Sequence, residues 1–118
     1  MIDGELARAL KVASLPWRPR RGDLCMDRLG VYLPVLADGP NDDGAVQVHD
    51  GRVVEWRHVL GLCWLPRTDD LLPALRRYGS VSLSADHGRW CCRVNTIQTE
   101  AGSPADAAGK ALLTLLNQ

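Results

Sequence analysis

The chain contains no phenylalanine, and only two of its 14 basic residues are lysines, so arginine carries almost all of the positive charge. No apolar run in it approaches the roughly 20 residues that a membrane-spanning helix requires. The first twelve residues carry acids where a secretion signal carries bases. The formal net charge of +0 at pH 7 provides no overall field that would draw in nucleic acid or an anionic membrane. These absences predict a cytoplasmic protein that does not associate with membranes.

Recognisable chemistry is also sparse. The cysteines and histidines lack the CxxC or HxxxH spacing of a zinc site. The residues concerned are Cys25, Cys63, Cys91, Cys92, His49, His58 and His87. The carboxylates of residues 37–44 lack the spacing of a calcium loop. No glycine-rich phosphate loop, nucleophile elbow or zinc-hydrolase helix is present in the sequence. We therefore predict no metal, no cofactor and no assigned catalytic residue, and we favour a protein that is not an enzyme.

Length and composition are those of one globular domain. The chain has 118 residues, of which 46% are hydrophobic and 24% are charged. A chain of this size buries enough surface to fold without disulfides or metals. We predict a single domain over residues 1–118, made of an N-terminal helix and Pro/Arg lead (1–22), a strand-rich part (23–65) and a helix, hairpin, helix part (66–118).

The N-terminal part is predicted to be a helix followed by an extended lead. Apolar residues recur at helical spacing over residues 3–13, and Asp3 is a suitable N-cap. Pro16 and Pro19 then exclude further helix. We expect Trp17, between these prolines, to anchor the lead onto the body of the protein.

The strand-rich part contains short apolar runs between turn residues. Residues 24–26 and 31–36 are predicted strands, and Pro34 places the second of them at a sheet edge, because proline cannot donate to a ladder. Residues 45–56 predict a hairpin closed by an Asp-Gly turn at 50–51. The apolar run 59–65 predicts a further strand.

Two helices and a hairpin are predicted in the last part. Asp70 is favoured as the N-cap of the first helix, because Pro73 then falls where its missing N–H costs nothing, and Gly79 is expected to close the helix. Residues 81–85 and 90–95 alternate as a two-stranded hairpin, and residues 98–102 are predicted to be a loop.

The final helix is predicted to begin at Ser103. Ser103 is a good N-cap, Pro104 suits the first helical position, and Asp106 at the third can bond back to the cap. Small residues at 107–109 and 111 are expected to allow close approach to a sheet. Together these elements predict an α+β fold, in which short antiparallel strands form a curled sheet and the N-terminal helix and the helix, hairpin, helix unit pack on it.

Residues 64–116 carry a resemblance to known sequences. The segment WLPRTDDLLPAL, a hairpin and then SPADAAGKALLTLL resemble small uncharacterised phage and prophage proteins, which carry W-L-P-x-x-D-x-L before a helix and end in an Ala/Leu helix opened by Ser/Thr-Pro. The resemblance implies a helix, hairpin, helix layer and an origin in a mobile element. It implies no activity.

Three functions remain open from the sequence. The favoured one is a non-enzymatic binding or structural module that acts through a protein partner or as a homodimer. If the chain self-associates, we expect an exposed apolar patch near Trp17, Tyr32 or Pro34. The first alternative is nucleic-acid binding. The second is a small enzyme with a Cys/His site, in which Cys91 is the candidate reactive thiol because it is predicted to lie on the polar face of its strand.

The nucleic-acid alternative depends on one basic cluster. Arg18, Arg20 and Arg21 are its cations, and Trp17 is interleaved with them. Arginine beside an aromatic ring is typical of single-strand binding by phosphate pairing and base stacking. The competing interpretation is a solvated linker with a packed tryptophan.

Overall fold

The computed structural model describes residues 1–39, 45–48, 53–55 and 61–118. Within these residues the chain forms three helices and eight short strands, which confirms the predicted α+β class. In chain order they are α1 (Gly4–Val12), β1 (Leu24–Met26), β2 (Tyr32–Pro34), β3 (Ala45–Gln47), β4 (Val53–Glu55), β5 (Cys63–Trp64), α2 (Thr68–Arg76), β6 (Val81–Asp86), β7 (Arg89–Val94), β8 (Ile97–Ala101) and α3 (Pro104–Leu116).

The elements group into two compact units. One unit joins Met1–Ser14 to Pro66–Gln118, and the other is Leu15–Leu65. The boundary after residue 65 coincides with the predicted start of the helix, hairpin, helix part. Helix α1 groups with that part instead of with the Pro/Arg lead that follows it. A single domain over residues 1–118 stays a prediction.

The first unit is built around α3. This helix packs against β7 and β8, and α1 and α2 pack against α3. Its alanines at 107, 108 and 111 are completely buried, which lets neighbouring elements approach its backbone closely. The local signals for α3 were read correctly, since Ser103 is the N-cap and its hydroxyl accepts a hydrogen bond from the Asp106 N–H at 3.1 Å.

Two details of α3 differ from the prediction, and both arise from α1. The Asp106 carboxylate accepts a hydrogen bond from the Asp3 N–H at 2.6 Å instead of bonding back to the cap. Gly109 faces Leu6 and Ile2, so the close approach that it permits is to the α1 region and not to a sheet. Asp3 itself caps α1 as predicted, through a 3.1 Å bond from the Leu6 N–H.

The predicted start of α2 was wrong. The helix begins at Thr68 with Arg67 as N-cap, and Asp70 lies in the first turn, where its carboxylate accepts the Arg67 N–H at 2.9 Å. Pro73 therefore lies inside the helix, at the cost of one backbone hydrogen bond. Burial of Leu71 and Leu75, each at most 1% exposed, offsets that cost.

Strand β8 also departs from the prediction, which made residues 98–102 a loop. The hairpin of β6 and β7 was predicted correctly, but β8 pairs antiparallel with β7 and gives a three-stranded sheet in the order β6-β7-β8. The turn before β8 uses Asn95 with φ of 54°, a conformation that asparagine tolerates better than most residues. The polar residues at 98 and 100 concealed the strand, because they face away from the buried side.

Gly79 follows α2 and allows a close contact with the turn after β7. Its φ is +154°, and a Cβ at this position would overlap Oδ1 of Asn95. The Asn95 side chain donates to the Tyr78 carbonyl at 2.8 Å. Glycine is thus required both for its backbone angle and for the space that the Asn95 amide occupies.

The second unit contains two small antiparallel sheets, in the orders β2-β1-β5 and β3-β4. Pro34 lies in an edge strand, as predicted. The predicted 45–56 hairpin is confirmed as the β3–β4 pair, whereas its turn at 50–51 and residues 56–60 lie outside the described residues. One cluster of buried side chains fills the unit: Trp17, Cys25, Leu33, Val35, Val46, Val48 and Leu62, with Trp64 packed against them.

None of the helices in the described part of the chain has the length and apolar character needed to cross a membrane.

Candidate interaction surfaces

The Pro/Arg lead is fixed by a buried tryptophan and a buried carboxylate. Trp17 is 8% exposed, and its ring stacks on Trp64 with centroids 6.1 Å apart and planes 6° apart. Its indole Nε1–H donates to Oδ2 of Asp23 at 3.0 Å, and the Arg20 backbone N–H donates to the same oxygen at 3.0 Å. Asp23 is only 3% exposed, so its hydrogen bonds lie largely out of solvent. The predicted role of Trp17 as an anchor is confirmed.

This packing separates Trp17 from the three arginines of the predicted nucleic-acid cluster: the ring is buried and the arginines are exposed. Arg18, Arg20 and Arg21 are exposed, but the Trp17 ring is engaged with Trp64. A nucleic-acid base can stack on Trp17 only if that pair separates. Phosphate pairing by the three arginines stays a prediction.

The turn between β1 and β2 is held by one carboxylate. Oδ1 of Asp27 accepts from the backbone N–H groups of Leu29 at 2.8 Å and Val31 at 3.0 Å. The Asp27 N–H donates to the Val31 carbonyl at 3.0 Å, and Gly30 supplies a φ of 82°. The turn is therefore ordered by its own hydrogen bonds, and two apolar side chains are carried on it.

Residues 29–36 hold most of the large apolar side chains that are exposed on the described residues. Leu29 is 80% exposed, Val31 50%, Tyr32 47% and Leu36 40%, whereas only Met1, Val12 and Tyr78 are comparably exposed elsewhere. Pro34 is exposed as well. We call these five residues (Leu29, Val31, Tyr32, Pro34 and Leu36) the 29–36 surface.

The strand period explains the second half of this surface. Leu33 and Val35 are 6% and 2% exposed and belong to the buried cluster, so the alternate residues Tyr32, Pro34 and Leu36 point away from it. Exposed apolar residues therefore lie at Tyr32 and Pro34, two of the three positions named for an exposed patch, whereas Trp17 is buried. Sequence reasoning missed the two turn residues, although turn-forming neighbours on both sides indicated exposure.

Cys91 lies on the polar face of the β6-β7-β8 sheet. It pairs with Ser84 on one side and Glu100 on the other, and Arg93 follows two residues later on the same face. Cys91 is half-buried, and the adjacent Cys92 faces the opposite side and is completely buried. The prediction that these two thiols lie on opposite faces is confirmed.

The other thiols are enclosed. Burial, together with the nearby Cys63, Asp23 and Asp27, raises the pKa of Cys25 to about 12. Its Sγ lies 3.2 Å from the Leu33 carbonyl oxygen, to which it donates. Burial also raises the pKa of Cys92, with a smaller contribution from Cys91. Such thiols stay protonated and are poor nucleophiles at neutral pH.

In the part of the chain that the structure describes, no three His, Cys, Asp or Glu side chains come together in a group that would hold a metal ion. His87 lies in the β6–β7 turn, where its Nε2 is 3.3 Å from Oδ1 of Asp86. His49 and His58 lie outside the described residues. A Cys/His pair around Cys91 stays a prediction.

No family model, no curated protein and no solved structure matches this chain. A function can therefore be argued only from the surfaces described above.

Proposed function

We propose that this protein is a non-enzymatic binding module that recognises a protein partner through the 29–36 surface. The observation that carries the proposal is the concentration of exposed apolar side chains in one eight-residue stretch, with Leu29 80% exposed. Contiguous apolar surface on a folded domain marks interaction sites more often than isolated exposed residues do. A phage or prophage origin and a cytoplasmic location stay predictions.

The geometry favours a concave partner. Leu29 and Val31 project from a turn that Asp27 fixes with two backbone hydrogen bonds, so little conformational entropy is lost when they insert into a groove. Pairing of the β2 edge with a partner strand is disfavoured, because Pro34 has no N–H and the Leu36 N–H already donates to Gln47 at 2.9 Å. The partner therefore provides an apolar groove for side chains and does not add a strand.

The test is a comparison of two double variants. Leu29→Ser with Tyr32→Ser removes two exposed apolar side chains of the 29–36 surface, and Val12→Ser with Tyr78→Ser removes two exposed apolar side chains elsewhere. All four positions are exposed, so each substitution should change the free energy of unfolding by no more than about 0.5 kcal/mol. Both variants should remain folded by circular dichroism.

Binding is then measured by calorimetry, with a purified partner recovered by affinity purification on the wild-type chain. The first variant should bind at least about tenfold more weakly, because a buried anchor typically contributes 1–2 kcal/mol or more. The control variant should bind as the wild type does. Equal binding by all three chains would place the interface elsewhere, and a chain that binds no protein would refute the module.

A second candidate function is the binding of single-stranded nucleic acid by Arg18, Arg20 and Arg21, which the exposure of all three side chains supports. Affinity for an oligonucleotide should fall steeply as salt rises, with a slope of about −0.7 per phosphate contacted. Replacing the three arginines with glutamine should abolish that slope. Binding that is absent at low ionic strength would refute this function.

A further inference from the structure

Strand β6 is an outer strand of its sheet, and helix α2 contacts it. Among the described residues, β7 is the only strand that pairs with it, and β6 contains no proline and no lysine. Strand β8 forms the opposite edge of the same sheet, and there Nζ of Lys110 donates to the Glu100 carbonyl at 3.1 Å. Lysine at a strand edge is a common device that prevents edge-to-edge pairing. In the described part of the chain, a lysine therefore binds one edge of this sheet and no strand pairs with the other.

The β6–β7 turn determines which backbone groups are open. His87 and Gly88 have φ of 50° and 76°, as in a two-residue hairpin turn, and Asp86 pairs with Arg89 across it. In such a hairpin the pair flanking the turn exchanges hydrogen bonds, and bonded and non-bonded pairs then alternate along the strands. Ser82 and Ser84 therefore bond to β7.

The same alternation turns the N–H and C=O groups of Val81, Leu83 and Ala85 outward from the sheet. It also turns the Glu100 carbonyl outward on β8, where Lys110 binds it. The side chains of these three β6 residues lie on the face that carries the buried Cys92.

The sequence of β6 is nearly symmetric about Leu83. Reading outward from Leu83, serine stands on both sides, followed by Val81 on one side and Ala85 on the other. An antiparallel pair of two β6 strands centred on Leu83 places Leu83 opposite Leu83, serine opposite serine and Val81 opposite Ala85. Every one of these pairs is uncharged and joins apolar to apolar or polar to polar.

We propose that β6 pairs antiparallel with β6 of a second copy of this chain, in a two-fold dimer that extends the sheet across both chains. In the register centred on Leu83, the outward groups of Leu83 meet those of Leu83, and the outward groups of Val81 meet those of Ala85, as hydrogen-bonded pairs. It also keeps each copy's apolar face continuous with the other's. The occupant is another copy because the strand is complementary to itself.

The dimer should be reversible. A single pair of short strands buries less area than a standard protein interface, and such small interfaces are weak and transient. The weight-average molar mass should therefore rise from 12.9 kDa toward twice that value as concentration increases. Sedimentation equilibrium from about 1 μM to about 1 mM covers the range of weak association.

A pair of charge variants tests the register. Ser82 of one copy lies opposite Ser84 of the other, and both side chains are exposed. Ser82→Glu with Ser84→Glu places like charges in opposition, whereas Ser82→Glu with Ser84→Lys places opposite charges there. Both variants carry the same glutamate beside Arg93, so they differ only at residue 84.

The dissociation constants of the two variants should differ by at least roughly tenfold at low salt, with the Glu/Lys variant tighter. The difference should shrink near 1 M salt, where the screening length is about 3 Å. Equal weakening by both variants would overturn the register centred on Leu83, and a dimer that neither variant weakens would show that another surface is used. A mass that stays at 12.9 kDa over the whole range would overturn the proposal.

Hydrogen exchange on the unmodified chain gives an independent readout. The amide protons of Val81, Leu83 and Ala85 should gain protection as concentration rises, whereas those of Ser82 and Ser84 should be protected at every concentration. Uniform protection along β6, or none that depends on concentration, would contradict the pairing. Leu29→Ser with Tyr32→Ser should leave the dimer intact. The proposed dimer and the proposed partner binding by the 29–36 surface can therefore be refuted independently.

Discussion

Replacing Asp23 with alanine should test whether one buried carboxylate orders the Pro/Arg lead. Oδ2 of Asp23 receives the indole N–H of Trp17 and the backbone N–H of Arg20, both at 3.0 Å. Asp23→Ala removes the acceptor of both hydrogen bonds and leaves the stacked residues Trp17 and Trp64 in place. The perturbation therefore acts on two defined hydrogen bonds.

The magnitude follows from the two bonds and their burial. Each hydrogen bond to a charged acceptor contributes about 1.5–3 kcal/mol, which gives about 3–6 kcal/mol for the two. Removing a carboxylate that is 3% exposed also removes its desolvation cost, so the lower end of that range is expected. A loss of about 3 kcal/mol is a large part of the 5–15 kcal/mol typical of a domain.

Urea denaturation followed by tryptophan fluorescence measures this loss. With a slope of about 1–3 kcal/mol per molar urea, the midpoint should fall by about 1–3 M. Asp23→Asn is the matched control: it keeps an acceptor oxygen and should lose about half as much. A loss below about 1 kcal/mol for alanine, or an equal loss for asparagine, would refute the role of the carboxylate.

A double-mutant cycle isolates the Trp17 bond. Trp17→Phe removes the indole donor, and combining it with Asp23→Ala should show a coupling of about 1 kcal/mol or more. Additive losses would mean that the 3.0 Å contact between Nε1 and Oδ2 does not contribute to stability.

Three further predictions concern single positions. Gly79→Ala should cost about 1–3 kcal/mol in a denaturant titration, because its φ is +154° and its Cβ would overlap Asn95, whereas Gly102→Ala, with no atom within 4 Å of its Cβ, should be close to neutral. Iodoacetamide should label Cys91 first in the native protein, as read by peptide mass mapping, and equal rates at all four thiols would contradict the observed burial. The free energy of unfolding should fall as pH rises from 9 toward about 12, because the Cys25 thiol ionises in the unfolded chain before it does so in the folded one. Cys25→Ala should show a shallower fall over that window, and an unchanged slope would exclude this thiol as the cause.

Local signals predicted the helices best. Asp3 and Ser103 cap α1 and α3 as expected, because a capping bond involves only residues a few positions apart. The start of α2 was wrong for a related reason. The local cost of Pro73 argued for a later start, whereas in the structure Asp70 lies in the first turn and its carboxylate accepts the Arg67 N–H at 2.9 Å.

Strand β8 was missed because its stability depends on a neighbour. Gln98 and Glu100 have low strand preference, and the segment becomes a strand by pairing with β7. The Asp106 bond to Asp3 was missed likewise, since its partners are 103 positions apart in the chain. Interactions of this separation leave no mark on the local sequence pattern.

The candidate surface was predicted only in part. Tyr32 and Pro34 were named as positions near an exposed patch, and both are exposed. The sequence analysis did not single out Leu29, which is 80% exposed and belongs to the proposed interaction surface. Trp17 anchors the lead as predicted, and its ring stacks on Trp64.

The packing of α1 against α3 has a consequence for synthesis on the ribosome. Helix α1 ends at Val12 and α3 begins at Pro104, so translation at about 5–20 residues per second separates the two by on the order of ten seconds. During that interval Leu10, which is 1% exposed in the finished fold, lacks its helical partner. The contacts within the unit Leu15–Leu65 can form during that interval, since all of its residues leave the ribosome before α3 does. A nascent chain that stalls between the two helices therefore leaves the apolar side chains of the α1 segment accessible to chaperones.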